Sequence, residues 1–155
     1  MLTVEDFVAA APVFAGLERR HVELIAGCAV NERAAAGARL FREGDPAERF
    51  YVIREGAIAL EIDAPGRGPL VIETLHDGDV AGLSWLFAPY RWQFDGRAVG
   101  PVALIAVDGL CLRGKCDADH ELGYQLMRRF AVAAIERLQA TRLQLLDVYA
   151  NPVAR

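Results

Sequence analysis

The strongest constraint on the fold is a change of hydrophobic period at Cys28. Residues 1–28 read as helical, whereas from Ala29 to Val107 apolar and polar residues tend to alternate in runs of four to eight. Breaks that contain glycine, such as Glu55-Gly56, separate these runs. Short alternating runs with turn residues between them are typical of a β-sandwich or barrel. We therefore predict helices over residues 1–28 and an antiparallel β-roll over residues 29–112.

The last third of the sequence returns to a helical pattern. Residues 117–149 contain no proline and only one glycine, Gly123, so we predict one long helix there. Five positions recur in it at alternating spacings of four and three, the a/d pattern of a coiled coil. These positions are Ala134, Leu138, Thr141, Leu145 and Val148. The pattern predicts a homodimer seam; the alternative is a helix packed on its own β-roll, because Leu143 and Leu146 supply a second apolar flank.

The predicted fold class is α+β: a mainly antiparallel, cupin-like jelly roll with N-terminal helices and a long C-terminal dimerisation helix. A length of 155 residues suits one domain, residues 1–155. No apolar run approaches the roughly 18 residues of a membrane span, and the acidic N-terminus does not fit a secretory signal. Three cysteines are too few, and odd in number, for a disulfide framework. We expect a cytoplasmic protein that does not contact membranes.

Charge and motifs exclude two classes of function. The formal net charge is −4 and Lys115 is the only lysine, which does not fit a nucleic-acid-binding surface. A helix-turn-helix would have to follow residue 150, where too few residues remain, so we expect no direct DNA binding by this chain. The sequence shows no catalytic triad, no paired carboxylates in an apolar frame and no phosphate-binding Gly-Lys loop, so we expect no enzyme.

Metal binding is also not expected from the sequence. Cys111, Cys116 and His120 are ligand types, but no fourth soft ligand lies nearby. We predict no metal site, and we interpret His21 and His76 as ordinary surface histidines.

Four turn-containing segments occur in an order that resembles one known family. They are Cys28–Arg33, Arg39–Asp45, Phe50–Leu60 and Leu75–Asp79. They resemble the β-roll of cyclic-nucleotide-binding sensor domains of the catabolite activator protein (Crp-Fnr) family. The segment Arg137–Thr141 resembles the helix through which that family dimerises and touches its ligand, so the resemblance covers roughly residues 12–149. It implies a non-catalytic regulatory sensor module, here without the family's helix-turn-helix domain.

The resemblance also locates a ligand site, the phosphate-binding cassette, at residues 78–98. In the family, backbone amides at a short helix hold the cyclic phosphate, a glutamate accepts the ribose hydroxyl and an arginine pairs with the phosphate. Here the glutamate position holds Leu83 and the arginine position holds Trp92. Each lost anchor costs about 1–3 kcal/mol. We therefore expect cyclic AMP to bind several orders of magnitude more weakly than in the family, at about 1.4 kcal/mol per tenfold.

Aromatic residues replace the missing anchors. The cassette contains Trp85, Phe87, Tyr90, Trp92 and Phe94. Two interpretations stay open: the aromatic rings fill the old pocket as core, or they form a pocket for a flatter, more apolar ligand. In the second case Arg91, or Arg142 beside Thr141 on the long helix, supplies the missing cation; the alternative for these arginines is an ordinary surface or salt-bridge role.

The candidate ligand-binding residues are Gly82, Leu83, Ser84, Trp85, Arg91, Trp92, Arg97, Thr141 and Arg142. No cofactor is firmly implied, and a nucleotide-like or other small anionic ligand stays a hypothesis. We predict a homodimeric sensor that binds a small ligand other than cyclic AMP, or cyclic AMP only weakly. The alternative is a ligand-free dimerisation or protein-interaction module with a degenerate pocket. A regulatory protein partner is open in both cases.

Overall fold

The N-terminal segment of the chain is helical. A computed structural model describes residues 1–150, so the last five residues of the predicted 1–155 domain lie outside the described part. Helix α1 spans Val4–Ala10, a 3-10 turn spans Pro12–Phe14, and helix α2 spans Arg19–Ala26. Helix α1 begins at Thr3, whose hydroxyl accepts from the Asp6 amide while the Asp6 carboxylate accepts from the Thr3 amide.

Eight antiparallel strands follow and form two four-stranded sheets. The strands are β1 (Ala29–Ala34), β2 (Arg39–Phe41), β3 (Arg49–Glu55), β4 (Ile58–Ala64), β5 (Gly68–Leu75), β6 (Val80–Ala81), β7 (Asp95–Ala98) and β8 (Val102–Asp108). The first sheet has the order β1-β8-β3-β6 and the second the order β2-β7-β4-β5. The predicted fold class, a mainly antiparallel jelly roll flanked by helices, is confirmed.

Strand β8 explains how the two layers hold together. Its residues Val102–Val107 are all buried, because one face of the strand lines the roll interior and the other faces the helices. A continuous apolar run is what a strand covered on both faces requires. The interior cluster includes Ile53, Leu60 and Leu104. The outer cluster joins the first sheet to the helices through residues such as Phe50 and Phe130.

Two further helices follow the strands within residues 1–150. Asp108 caps helix α3, Gly109–Ala118, because its carboxylate accepts from the Cys111 amide. The strands therefore end at Asp108, before the expected boundary at residue 112. Helix α4 runs from His120 to Ala150, with the Asp119 carboxylate accepting from the Leu122 amide at its start. No helix among residues 1–150 combines the length and hydrophobicity needed to cross a bilayer.

Helix α4 packs on the rest of the domain as far as Arg137. Leu122, Leu126 and Phe130 recur every four residues and are buried. Residues 138–150 are all exposed in the single chain. At 1.5 Å per residue, a helix of 31 residues is about 46 Å long, which is more than the roll can cover.

One expectation about the cysteines is wrong: the structure joins Cys28 to Cys111 in a disulfide, with the Cα atoms 5.8 Å apart. Cys28 precedes β1 and Cys111 follows β8, and these strands pair at Ala29 and Val107. The sheet therefore brings together two cysteines that lie 83 residues apart in sequence. Cys116 is free, and burial together with neighbouring acids raises the pKa of its thiol to about 11.

The interpretation of His21 as a surface histidine is also wrong. Its side chain lies on the inner face of α2 beside Val22 and Ile25, and only 1% of its surface is exposed. His76, the other histidine interpreted in this way, is exposed.

Candidate functional site

Gly82, within the cassette, has a conformation that a side chain would not tolerate. Its φ is +108°, in the region that favours glycine. A Cβ atom there would lie 2.6 Å from the Trp92 ring, so the close approach also requires glycine. Leu83 follows and is half-buried against the outer core cluster, and Ser84–Leu86 form a 3-10 turn. The chain then returns through a loop to β7.

Trp92 lies inside the roll, at the position where the resemblance implies a phosphate-pairing arginine. Its side chain is 7% exposed and belongs to the interior cluster. The indole stacks on Phe41 with ring centroids 3.7 Å apart and an interplanar angle of 7°. Tyr51 belongs to the same cluster, and its ring centroid lies 6.4 Å from that of Trp92. The indole therefore occupies the space against Gly82 and leaves no charged group there.

Trp85 connects the cassette to the long helix. It is fully buried, stacks on Phe50 at 4.7 Å and meets Phe130 of α4 edge-on at 5.3 Å. Arg113 of α3 donates from Nη1 to the Trp85 carbonyl at 3.0 Å, and its guanidinium lies 3.9 Å from the Tyr90 ring centroid. The cassette is therefore held against both C-terminal helices by apolar and cation–π contacts.

The two cassette arginines are engaged by the protein itself. Arg91 is exposed and donates from Nη1 to the Gly44 carbonyl at 3.1 Å. Arg97 donates from Nη2 to Glu61 Oε2 at 2.5 Å, and Glu61 is only 2% exposed. A buried carboxylate needs such a partner, because an unpaired buried charge is costly. Arg97 in this structure neutralises Glu61.

A groove of about 290 Å³ lies beside Trp92. Its lining carries three acids, Asp45, Glu48 and Asp108, against one cation, Arg49. The excess of negative charge disfavours an anionic ligand such as a cyclic phosphate. This groove therefore does not restore the missing phosphate site.

Sequence reasoning missed Arg137, which joins α4 to the edge of the roll. Its side chain is 19% exposed, donates from Nη2 to the Val80 carbonyl at 2.6 Å and lies 3.4 Å from Glu73 Oε2. Burial raises the pKa of the Glu73 carboxyl; the Arg137 charge opposes this shift and Asp79 adds to it. Val80 belongs to the cassette, so Arg137 links the cassette to the long helix. The sequence signal that could have identified Arg137 is its place in the segment Arg137–Thr141, which resembles the family's dimerisation helix.

The remaining candidates lie on the outer part of α4. Thr141 donates from Oγ1 to the Arg137 carbonyl at 2.9 Å, and both Thr141 and Arg142 are exposed. Within residues 1–150, Arg142 takes part in no ion pair. The structure thus brings Gly82, Trp92 and the 3-10 turn together but leaves Thr141 and Arg142 apart from them in the single chain.

The predicted seam residues are open in the single chain. Leu138, Leu145 and Val148 are 50–53% exposed, and Ala134 is half-buried. Further exposed apolar residues extend this outer side of α4 toward its start. They are Tyr124, Met127 and Ile135.

Comparison with known proteins places the chain in a family. The model of the cyclic nucleotide-binding domain matches residues 31–119, more than half of the chain. The chain is similar to the "CRP-like cAMP-activated global transcriptional regulator" of Mycobacterium tuberculosis, with 23% identity over 145 residues, 94% of this chain and 63% of the regulator. It is also similar to the cyclic nucleotide-gated ion channel 18 of Arabidopsis thaliana, with 33% identity over 88 residues, 54% of this chain and 12% of the channel.

Solved structures agree with this relationship. A crystal structure described as a cyclic nucleotide-binding protein from Geobacter metallireducens GS-15 matches with a TM-score of 0.78 and 25% identity, covering 89% of this chain and 99% of that one. The chain spans less than two thirds of the length of the curated relatives it matches. The antiparallel roll and the long C-terminal helix match that fold, and the chain belongs to the cyclic nucleotide-binding domain family.

Proposed function

We propose that this domain is a non-catalytic regulatory module that acts as a homodimer and binds cyclic AMP weakly or not at all. The observation that carries the proposal is the burial of Trp92 at the family's arginine position. A phosphate placed there would meet an indole instead of a guanidinium, and a ribose hydroxyl would meet Leu83 instead of a carboxylate. The two losses together weaken binding by several orders of magnitude.

The filled pocket favours the interaction-module alternative over the sensor interpretation. A ligand that leaves Trp92 in place would have to use the groove beside it, and Asp45, Glu48 and Asp108 make that groove unsuitable for an anion. The roles of Thr141 and Arg142 as ligand-facing residues stay predictions. In a single chain they are exposed, so they reach a ligand only if a second copy brings them to a roll.

The contacts between cassette and helix support a regulatory role. Trp85 packs on Phe130, and Arg137 bonds the Val80 carbonyl. A partner that displaced the cassette would therefore also disturb the position of α4, and a change at α4 would reach the cassette. A regulatory protein partner fits this coupling and stays part of the proposal.

A variant designed to regain cyclic AMP binding tests the proposal most sharply. We expect the double variant Leu83→Glu/Trp92→Arg to bind cyclic AMP at least tenfold more tightly than the unmodified domain in isothermal titration, because both polar anchors return. The matched control is Leu83→Glu/Gln93→Arg, which adds the same charges but places the arginine at the neighbouring, exposed Gln93. Equal affinity of the two variants would contradict the proposal, provided circular dichroism shows both folded.

Localisation and DNA binding stay predictions from the sequence. A reducing cytoplasm would keep Cys28 and Cys111 as free thiols, whereas the structure joins them. Alkylation of the protein in intact cells, followed by mass spectrometry, distinguishes the two states. A gel shift at low salt tests the expectation that this chain does not bind DNA, since low salt favours any electrostatic binding.

A further inference from the structure

Three metal-ligating side chains meet between α2 and the start of α4. They are Glu18, which precedes α2, His21 within α2, and Glu121 in the first turn of α4. One ligand atom from each lies within 4.8 Å of those of the other two. Glu121 lies 100 positions after His21 in sequence and reaches the other two where Arg20 of α2 bonds Glu121 at the start of α4.

The imidazole of His21 lacks the partners that a buried polar group needs. His21 is 1% exposed, and neither Nδ1 nor Nε2 has a hydrogen-bond partner among residues 1–150. Buried polar groups in folded proteins are nearly always bonded, and each exception calls for an explanation. A metal ion would bind one ring nitrogen directly. The two carboxylates are largely exposed, so an ion can reach the cluster from solvent.

The local charge also favours a divalent cation. Asp119 lies next to the cluster, and Arg20 contacts all three carboxylates: Asp119 directly, Glu121 at 3.0 Å and Glu18 at 3.9 Å. Three carboxylates against one guanidinium leave an excess of two negative charges. Arg20 holds Glu121 through Oε2, so it competes with a metal for this carboxylate.

We propose that Glu18, His21 and Glu121 form a binding site for a divalent transition metal. One imidazole and two carboxylates suit Zn²⁺, which takes nitrogen and oxygen ligands in a tetrahedral arrangement and can keep water as its fourth ligand. Mg²⁺ and Ca²⁺ prefer oxygen ligands in larger number. Bound metal ties the N-terminal helices to the start of α4 and thus stabilises the base of the long helix. The site is separate from the cassette and does not depend on the proposed function.

Zinc titration tests the proposal. Chelator-treated protein titrated with ZnCl₂ in a calorimeter should bind one ion per chain, and Zn²⁺ in hundredfold excess over its dissociation constant should raise the Tm by about 5 °C or more. Mg²⁺ at the same concentration should leave the Tm unchanged. Absence of stoichiometric Zn²⁺ binding overturns the proposal.

Substitutions at the proposed ligands test where the ion binds. Because replacing His21 risks unfolding, the decisive changes are the exposed ligands: Glu18→Gln and Glu121→Gln should each weaken Zn²⁺ binding at least tenfold. Glu23→Gln, an exposed acid on the same helix paired with Arg19, is the matched control and should bind as the unmodified domain does. Arg20→Gln should tighten binding, since the competing cation is gone. Unchanged binding in the two ligand variants, or an equal loss in Glu23→Gln, refutes the site.

A second control separates this site from the thiol. Zn²⁺ held by Cys116 with His120 would be lost in Cys116→Ser and kept in Glu121→Gln, and that outcome would overturn the proposal. The proposed site predicts that Zn²⁺ binding is kept in Cys116→Ser and weakened in Glu121→Gln.

Discussion

The indole of Trp92 lies parallel to the ring of Phe41, with an interplanar angle of 7° and centroids 3.7 Å apart. Phe41 in turn fits closely against β7, because a Cβ atom at Gly96 would lie 2.2 Å from its ring. The position at which the resemblance places the family's arginine is therefore part of a packed core, and a stability change is expected wherever this stack is disturbed.

Removal of the indole should destabilise the domain. Trp92→Ala empties a large space in the interior cluster, so we expect a loss of about 3–5 kcal/mol in the free energy of unfolding. Urea denaturation followed by circular dichroism measures it. Gln93→Ala, at the exposed neighbour, should change stability by less than about 0.5 kcal/mol. A near-neutral Trp92→Ala would mean that the indole does not fill a packed space in solution.

The disulfide should contribute to stability because it closes a long loop. Because Cys28 and Cys111 are separated by 83 positions in sequence, reduction should cost about 2–5 kcal/mol. Urea midpoints with and without reductant should differ for the unmodified protein and for Cys116→Ser, but coincide for Cys28→Ser/Cys111→Ser. Identical midpoints for the unmodified protein in both conditions would show that the two cysteines are not joined in solution.

The outer side of α4 should mediate dimerisation. Leu138→Glu/Leu145→Glu puts two charges per chain into the predicted seam, at several kcal/mol each if the interface is dry. We expect a monomer by light scattering. Leu143→Glu/Leu146→Glu adds the same charges to leucines off the seam, which are 62–63% exposed against 50–52% for the seam pair, and should leave the dimer intact. A monomeric unmodified protein contradicts the seam, and loss of the dimer only in the second variant would move the interface to the other flank.

The pH dependence of stability should reveal the buried carboxyl of Glu73. Burial raises its folded-state pKa above the ordinary value of 4.5, so the folded state binds this proton more tightly than the unfolded state does. Its contribution is therefore most favourable below pH 4.5 and is lost as the pH rises through the folded-state pKa. Glu73→Gln should gain stability relative to the unmodified protein at neutral pH, and this gain should shrink toward pH 4.

Urea titrations at several pH values measure the effect. Glu55→Gln, at an exposed acid that ends β3, is the matched control and should show no such trend. If the gain for Glu73→Gln instead grew on acidification, the pKa of Glu73 would be lowered in the folded protein, and the effect of Arg137 on this pKa would outweigh that of burial.

Local patterns were enough to predict the β-roll. The period change at Cys28 and the turn glycines are properties of neighbouring residues, and Gly44, Gly56 and Gly78 all have the expected positive φ. Glycine is also required sterically at position 56, because a Cβ atom there would lie 2.7 Å from Val102.

Features that depend on long-range contacts were not predictable in this way. The Cys28–Cys111 pair needs the β1–β8 pairing, which closes a separation of 83 residues. The burial of His21 is different, because Arg19, Arg20 and Glu23 share one face of α2 and His21 lies on the opposite, apolar face, so the helical period could have revealed it. The sequence left the role of the aromatic rings open between filling and lining the pocket; the burial of Trp85 and Trp92 favours filling.

Titration of the unmodified domain with cyclic AMP tests the central claim most directly. With the indole of Trp92 in place of the guanidinium and Leu83 in place of the carboxylate, isothermal titration should give a dissociation constant above about 100 µM, or no saturable heat. A dissociation constant near or below about 1 µM would contradict the claim that Trp92 closes the nucleotide site.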